Sequence, residues 1–324
     1  MLPQQCYDNT QISSYKTCPR SYFIRHVLEW RGTGTAIPLV FGLSWHNSMD
    51  ALYTNKDLPH RDVVDLAYEA FVQEWERNGF NPVPSLSQDS EYSPRTPTIA
   101  KEMLDNYLHT RRRLLHECEL VSCEQPVAVP MPTVDDTWYI GRLDKTISYQ
   151  GQTIILEHKT TTAYATIGNF RSDYVDSWYS SSQVKGYQFM GSLYYPDKNA
   201  PQVWVDASLV HKKVHDAFKL IPINHSAILL QEWLVDTTRW IQDIKKDKAA
   251  FAEAGELTEG TFKRNEDSCY GKFGSCPFLD ICRTCADPSK MSAPPPGFIK
   301  EVWEPFSILG LTKLLTTQEE TQNG

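Results

Sequence analysis

The sequence predicts an α/β fold, and three observations carry that expectation. The first third of the chain repeats apolar residues at helical spacing, residues 138–159 form two extended runs around a turn, and strand and helix patterns alternate after them. With 324 residues, 41% of them hydrophobic, and nine Trp and sixteen Tyr, the chain has ample material for a packed core in one large domain or two.

Taken in order, the segments 10–30, 42–53, 61–78 and 98–118 place apolar residues three and four apart and read as helices. The Pro- and Ser-rich stretch 81–97 interrupts them and reads as a long loop, either a lid or a surface excursion. Residues 138–149 are rich in β-branched and aromatic types, Gln150-Gly151 supplies a turn, and 152–159 runs extended again. A helix is expected over 177–193, with Trp178, Phe189, Met190 and Leu193 facing a core and Gln183 and Tyr187 four apart on one side. Strands over 202–212 and 216–222 and a long helix over 225–254 follow. Pro294-Pro295-Pro296-Gly297 reads as a linker, and the apolar stretch 306–315 as a tail that packs back on its own domain.

The hairpin carries the chemistry. If Gln150 and Gly151 form a two-residue loop, Tyr149 pairs with Gln152, and counting back along both strands sets Asp144 opposite Glu157. Side chains alternate along a strand, so Glu157 and Lys159 point one way and His158 the other. Two carboxylates placed opposite each other destabilise a sheet unless a counter-charge neutralises them. A divalent cation supplies that charge: Mg²⁺ and Mn²⁺ prefer oxygen ligands, which Asp144, Glu157 and the backbone carbonyl of His158 offer. Lys159 would orient an attacking water or offset charge on a pentavalent phosphorus.

Gly141-Arg142-Leu143-Asp144 followed by Glu157-His158-Lys159 resembles the PD-(D/E)xK nuclease superfamily. The helical pair Gln183 and Tyr187 is similar to the motif after the hairpin in its RecB-like branch, and His46, in Phe41-Gly42-Leu43-Ser44-Trp45-His46, stands where that branch carries a metal-binding histidine. The resemblance implies a restriction-endonuclease-like core with a central mixed sheet flanked by helices. It also implies Gln183 and Tyr187 at the catalytic site, His46 among the metal ligands, and an exonuclease acting on single-stranded DNA or DNA ends. An endonuclease or RNA-directed enzyme of the same fold, and a non-catalytic nucleic-acid-binding module, are the alternatives. The retention of Asp144, Glu157 and Lys159 together argues against the last.

Of eight cysteines, Cys269, Cys276, Cys282 and Cys285 crowd together late in the chain, while Cys18 lies in a Cys-Pro-Arg context near its start. The arrangement resembles the iron-sulfur staple of AddB-type and CRISPR-adaptation nucleases, which implies a [4Fe-4S] cluster on Cys18, Cys269, Cys276 and Cys282. Cys269 precedes Cys276 by seven residues instead of the usual three, so Cys285 is a substitute for it. A Zn²⁺ site on the four late cysteines is the alternative and leaves Cys18 unexplained. Cys6, Cys118 and Cys123 read as small buried hydrophobes.

These readings divide the chain into a helical region (1–120), a nuclease core (121–260), a cysteine-rich segment (261–290), and a linker with tail (291–324). The formal charge of −8 counts against a protein that coats DNA nonspecifically but not against one that threads a strand past local cations such as Arg111-Arg112-Arg113, Lys212-Lys213 or Lys245-Lys246. Tyr164, Trp178 and Tyr179 are candidates for stacking on bases or for the core. No apolar run reaches the length of a membrane span, no secretory leader opens the chain, and a cytoplasmic setting in a prokaryotic or phage-infected cell is expected.

Overall fold

The structure, a computed structural model, describes residues 5–34, 36–83, 85–166, 168–196, 201–271 and 274–302. The tail expected over 306–315 lies outside the described residues. The chain opens with β1 (Gln5–Tyr7), α1 (Asn9–Thr17) and α2 (Pro19–Tyr22), then a π-helical turn over Phe23–Val27 and β2 (Trp30–Gly32). Helices α3 (Ile37–Thr54), α4 (His60–Arg77), α5 (Leu86–Tyr92) and α6 (Pro97–Glu117) follow. Next come β3 (Glu119–Pro130), β4 (Thr137–Tyr149), β5 (Gln152–Thr161), β6 (Tyr164–Thr166) and β7 (Asn169–Phe170), then α7 (Ser172–Ser177) and α8 (Ser182–Tyr194). The chain continues through β8 (Gln202–Leu209), β9 (Phe218–Ile223), α9 (Ala227–Ala254), β10 (Tyr270–Gly271), β11 (Gly274–Ser275), α10 (Leu279–Thr284) and β12 (Phe298–Lys300).

The fold is mixed α/β, with a central mixed sheet flanked by helices. Its strand order is β1-β4-β5-β8-β9, with β3 also on β4; β1 with β4 and β5 with β8 run parallel, while β4 with β5 and β8 with β9 run antiparallel. Gln150 and Gly151 both adopt positive φ (50° and 76°), as a two-residue primed turn requires, and Tyr149 pairs with Gln152. The ladder runs from Tyr149 opposite Gln152 to Lys145 opposite Leu156, the register that places Asp144 and Glu157 next in line and that the residue count gave.

Three expectations need correction. The helix expected over 10–30 breaks at Cys18, because Pro19 lacks an N–H and instead opens a new helix at its first position. The stretch 81–97 is not all loop: Ser85 and Gln88 form a reciprocal capping box that starts α5. The helix expected over 177–193 is two helices joined by a 3₁₀ turn at Trp178–Ser180; α8 turns Val184, Tyr187 and Met190 inward, whereas Leu193 is exposed and Trp178 half-buried.

By packing, the chain forms two compact units, Thr35–Gln125 with Arg142–Ser226, and Met1–Gly34 with Pro126–Gly141 and Ala227–Gly324. In the first, Phe41, Trp45, Met49 and Leu52 of α3 share a core with Phe71 and Trp75 of α4, Met103, Leu104 and Tyr107 of α6, and Ile147, Ile154 and Leu156 of the hairpin. The i, i+4 spacing of these residues on each helix gives the apolar stripe that packing needs. In the second, aromatic rings make the core: Tyr22 and Phe23 pack on Phe262, and Phe23 on Phe251. Asp247 accepts from the Tyr15 hydroxyl (2.7 Å) and the Phe262 N–H (2.9 Å). Among the described residues no helix is long and apolar enough to cross a membrane.

Candidate metal centre

The centre lies in the unit of Thr35–Gln125 and Arg142–Ser226. Asp144 (8% exposed) and Glu157 (1%) come from the paired strands β4 and β5. The Asp144 Oδ2 accepts from the backbone N–H of His158 at 3.2 Å and lies 3.1 Å from Nδ1 of His46 on α3. Lys159 forms an ion pair with Glu157 Oε1. From α8, the Gln183 side-chain amide donates to that same oxygen at 2.9 Å and to the Tyr187 hydroxyl at 2.8 Å. Thus His46, Asp144, Glu157, Lys159, Gln183 and Tyr187, drawn from four elements, meet in one place.

Glycines lie at two of these contacts, and one of them is required to be glycine. Gly42 on α3 comes close to Thr160, where an added Cβ would lie 3.9 Å from its hydroxyl. Gly191 on α8 is tighter: a Cβ there would sit 2.7 Å from Ile155 Cδ1 and 2.6 Å from Pro201 Cγ. A larger residue at 191 would push α8, and with it Gln183 and Tyr187, off β5.

The electrostatics describe a carboxylate pair in want of a counter-charge. Burial opposes ionisation of Asp144, but the charge and hydrogen bond of His46, helped by Lys159, hold its carboxyl well below the usual carboxylate range. Burial, and after it the charge of Asp144, pushes Glu157 up. Burial also disfavours the charged imidazole of His46, yet Asp144 and Glu157 carry it above the usual histidine range. The second Glu157 oxygen, Oε2, is buried and takes no hydrogen bond. An unpartnered anionic oxygen beside another carboxylate and an imidazole suits a divalent cation, so the residues fit the group.

His158 points away from this cluster. Its ring is fully buried against Tyr53 and Tyr107, 5.5 and 6.2 Å between centroids, which leaves its backbone as the part nearest Asp144. Across the sheet from it, Asp206 on β8 accepts from Tyr107 (2.7 Å) and from both Nε and a terminal nitrogen of Arg111. This corrects the view of Arg111 as a phosphate contact: the guanidinium neutralises a fully buried carboxylate. Arg113 pairs with Glu117, and Lys212 and Lys213 are exposed.

The sequence reading missed Glu124. It stands on β3, 2.9 Å from Arg142, with its carboxylate within 4.8 Å of the His46 and Asp144 ligand atoms. Glu119-Leu120-Val121-Ser122-Cys123-Glu124-Gln125-Pro126 alternates too irregularly to read as a strand, so nothing placed that glutamate beside the hairpin.

The cysteines lie in the other unit. Cys18, Cys269, Cys276 and Cys282 line one cavity of about 350 Å³, and Cys285 does not. Burial raises the Cys276 and Cys282 thiols, while Arg264 and Arg20 favour the Cys282 thiolate. Arg20 donates to the carbonyls of Phe262 (3.1 Å) and Ala286 (2.7 Å), and Asn265 to that of Thr17 (2.8 Å), so the late segment is pinned to the early helices by hydrogen bonds of its own. Among the described residues no three of these sulfurs fall within 4.8 Å of one another. Cys6 and Cys118 are buried, as expected of small hydrophobes, and Cys123 is half-buried.

No curated protein matches the chain. Among solved structures, a crystal structure from Eubacterium rectale, of a protein provisionally described as an exonuclease, is similar at 12% identity and a TM-score of 0.47, covering 92% of this chain and 91% of the other. The family model of the PD-(D/E)XK nucleases, enzymes that use divalent metals such as Mg²⁺, matches residues 9–283. That match takes in α1, the hairpin, α8 and the cysteine cavity: the chain belongs to the PD-(D/E)XK nuclease superfamily.

Proposed function

We propose that the chain is a metal-dependent exonuclease that hydrolyses phosphodiester bonds of single-stranded DNA or DNA ends. The observation that carries the catalytic reading is the buried, unpartnered Oε2 of Glu157 beside Asp144 and His46. His46, Asp144, Glu157 and the backbone carbonyl of His158 would hold Mg²⁺ or Mn²⁺. When bound, the ion lowers the pKa of a coordinated water and stabilises charge on the phosphoryl group.

The chain's own residues have separate tasks. With no ion on the carboxylates, Glu157 and Asp144 overcome the effect of burial and push the Lys159 ammonium up to about 12. It therefore serves as a cation toward the reacting phosphate and not as a base. Gln183 fixes Glu157 by one hydrogen bond and Tyr187 by another, so α8 sets the carboxylate's orientation. The exposed rings of Tyr164 and Tyr179, in the segment that links β5 to α8, offer flat faces for unpaired bases, which supports a single-stranded substrate.

In the other unit, Cys18, Cys269, Cys276 and Cys282 would hold a [4Fe-4S] cluster as an AddB-type staple. That Cys18 shares a cavity with Cys269, Cys276 and Cys282, while Cys285 stands outside it, supports this over a zinc site on the four late cysteines. The function is tested with end-labelled linear and circular single-stranded DNA in Mn²⁺. Release of mononucleotides from the linear strand, abolished by a chelator and absent from the circle, is the expected result. Linearisation of the circle would replace the exonuclease reading with an endonuclease one.

A further inference from the structure

Phe170, Tyr174 and Trp178 recur at intervals of four in the segment that joins β5 to α8, and their rings form a ladder. Phe170 stacks on Tyr174 with 6.1 Å between centroids and 21° between planes, and Trp178 meets Tyr174 edge-on at 5.9 Å. Both polar tips of the ladder are shut off from solvent: the Tyr174 hydroxyl and the Trp178 indole nitrogen are buried and make no hydrogen bond. Phenylalanine at both positions would supply the rings without that cost.

The segment is tied to the metal centre at both ends. β5 ends two residues past Lys159, and α8 begins one residue before Gln183. Between them, the Arg171 N–H donates to the Ala163 carbonyl (3.0 Å) and His225 Nε2 to that of Tyr179 (2.8 Å), so both halves of the segment are held. Burial raises the Tyr174 hydroxyl above the ordinary tyrosine range, which keeps it an O–H donor; the nearby Trp178 N–H and then Lys159 work against that rise, and Glu157 adds to it. The hydroxyl thus lies within electrostatic reach of Lys159 and Glu157. It bonds to neither: Glu157 Oε1 is taken by Lys159 and Gln183, and Oε2 accepts from no donor.

We propose that Tyr174 and Trp178 are a donor pair for the substrate: the Tyr174 hydroxyl and the Trp178 N–H bind the non-bridging oxygens of the phosphodiester on which Lys159 acts. This rests on the nuclease reading and deepens it, because it names what α7 and the turn after it contribute to the reaction. The phosphodiester oxygens need donors most in the transition state, and a fixed donor with no other partner favours that state without first giving up a bond of its own.

The test compares wild type with Tyr174→Phe and Trp178→Phe on linear single-stranded DNA in Mn²⁺, with Mn²⁺ affinity and melting in chelator measured on the same preparations. Tyr174→Phe keeps the ladder and deletes one O–H. It should lower kcat by about 10²-fold, the scale of losing one oxyanion donor. Its Mn²⁺ affinity should match wild type, and it should melt at or above the wild-type temperature, because a buried group without a partner is gone. Trp178→Phe should cost about ten-fold in kcat. One of the two phosphorothioate diastereomers at the scissile phosphate, in which sulfur, a weak acceptor, replaces the oxygen that Tyr174 binds, should slow wild type and slow Tyr174→Phe far less. If Tyr174→Phe does not fold, the same comparison on Trp178→Phe carries the test. Wild-type rates in both variants, a loss of rate that follows Mn²⁺ affinity or melting, or phosphorothioate penalties as large in the variants as in wild type would make the pair a packing contact and overturn the proposal. No release of nucleotides by wild type from any strand would instead reject the nuclease reading on which it rests.

Discussion

In the unit of Thr35–Gln125 and Arg142–Ser226, the carboxylates hang from strands of 10 to 13 residues and the His46 imidazole from an 18-residue helix; in the other unit Cys18 caps helices of nine and four residues, Cys282 sits on a helix of six, and the other cysteines lie on turns. The carboxylates are nearly or fully buried, and the fold holds them together against their own repulsion. The thiols are half-buried and come from segments about 250 residues apart along the chain. One candidate site is held in place by the fold's own contacts. The other, if it holds a metal group, gains stability from it, because a group bound by both ends of so long a loop restrains the unfolded chain. The hydrogen bonds of Arg20 and Asn265 limit that gain, since they join the same segments without a metal.

The largest effect that could break this comparison is at the hairpin. Asp144→Asn should lower Mn²⁺-dependent nucleotide release by about 10³-fold or more, the scale of losing a principal charge-stabilising group. Its melting temperature in chelator should change little, because relief of Glu157 from a neighbouring carboxylate offsets the lost His46 ion pair. A variant that loses activity by unfolding would show that the carboxylates hold the fold up, contrary to the preorganised reading.

Next in size is Cys18→Ser. It should bleach the visible absorption of anaerobically purified protein, remove its iron and sulfide, and lower the melting temperature by about 5–10 °C, the scale of a few kcal/mol in a domain of this size. Cleavage should fall only as far as the folded fraction falls. Cys285→Ser should leave metal content and colour as they are, because Cys285 stands outside the cavity. Full zinc occupancy, lost with Cys285 and kept without Cys18, would make the second unit a closed zinc site.

The smallest effect sharpens the contrast. Gly191→Ala should cost about ten-fold in kcat, with KM and metal affinity little changed, because the new methyl meets Ile155 and Pro201 and shifts the helix that orients Glu157. Unchanged kinetics would mean that α8 has slack, and that Gln183 is not held to the accuracy assigned to it here.

Much of the candidate site was legible because a two-residue turn and a period of two leave no freedom: once Gln150 and Gly151 are the turn, the partner of every residue on both strands follows. Gln183 and Tyr187 were legible for a similar reason, as residues four apart on a helix share a face. Glu124 was not, because its strand is irregular and its approach to Asp144 depends on a backbone distortion that no residue pattern announces. Arg111 read as a cation along a strand's path because its partner, Asp206, is 95 residues away on β8. The capping box of α5 was written in the sequence as Ser85-x-x-Gln88 and was masked by the surrounding prolines.

The turn at Gln150-Gly151 also has a meaning for how this gene can change. It lies on the surface, six residues and so about 20 Å from the carboxylates, where loops ordinarily accept insertions and deletions. Here a single added or lost residue would shift β5 against β4 by one position, set Asp144 beside His158 or Leu156, and turn Lys159 to the wrong side of the sheet. Substitutions at the tip should be tolerated wherever positive φ is, and changes of length should not. In a library of variants, an exposed loop should look as intolerant of length change as the catalytic strands themselves.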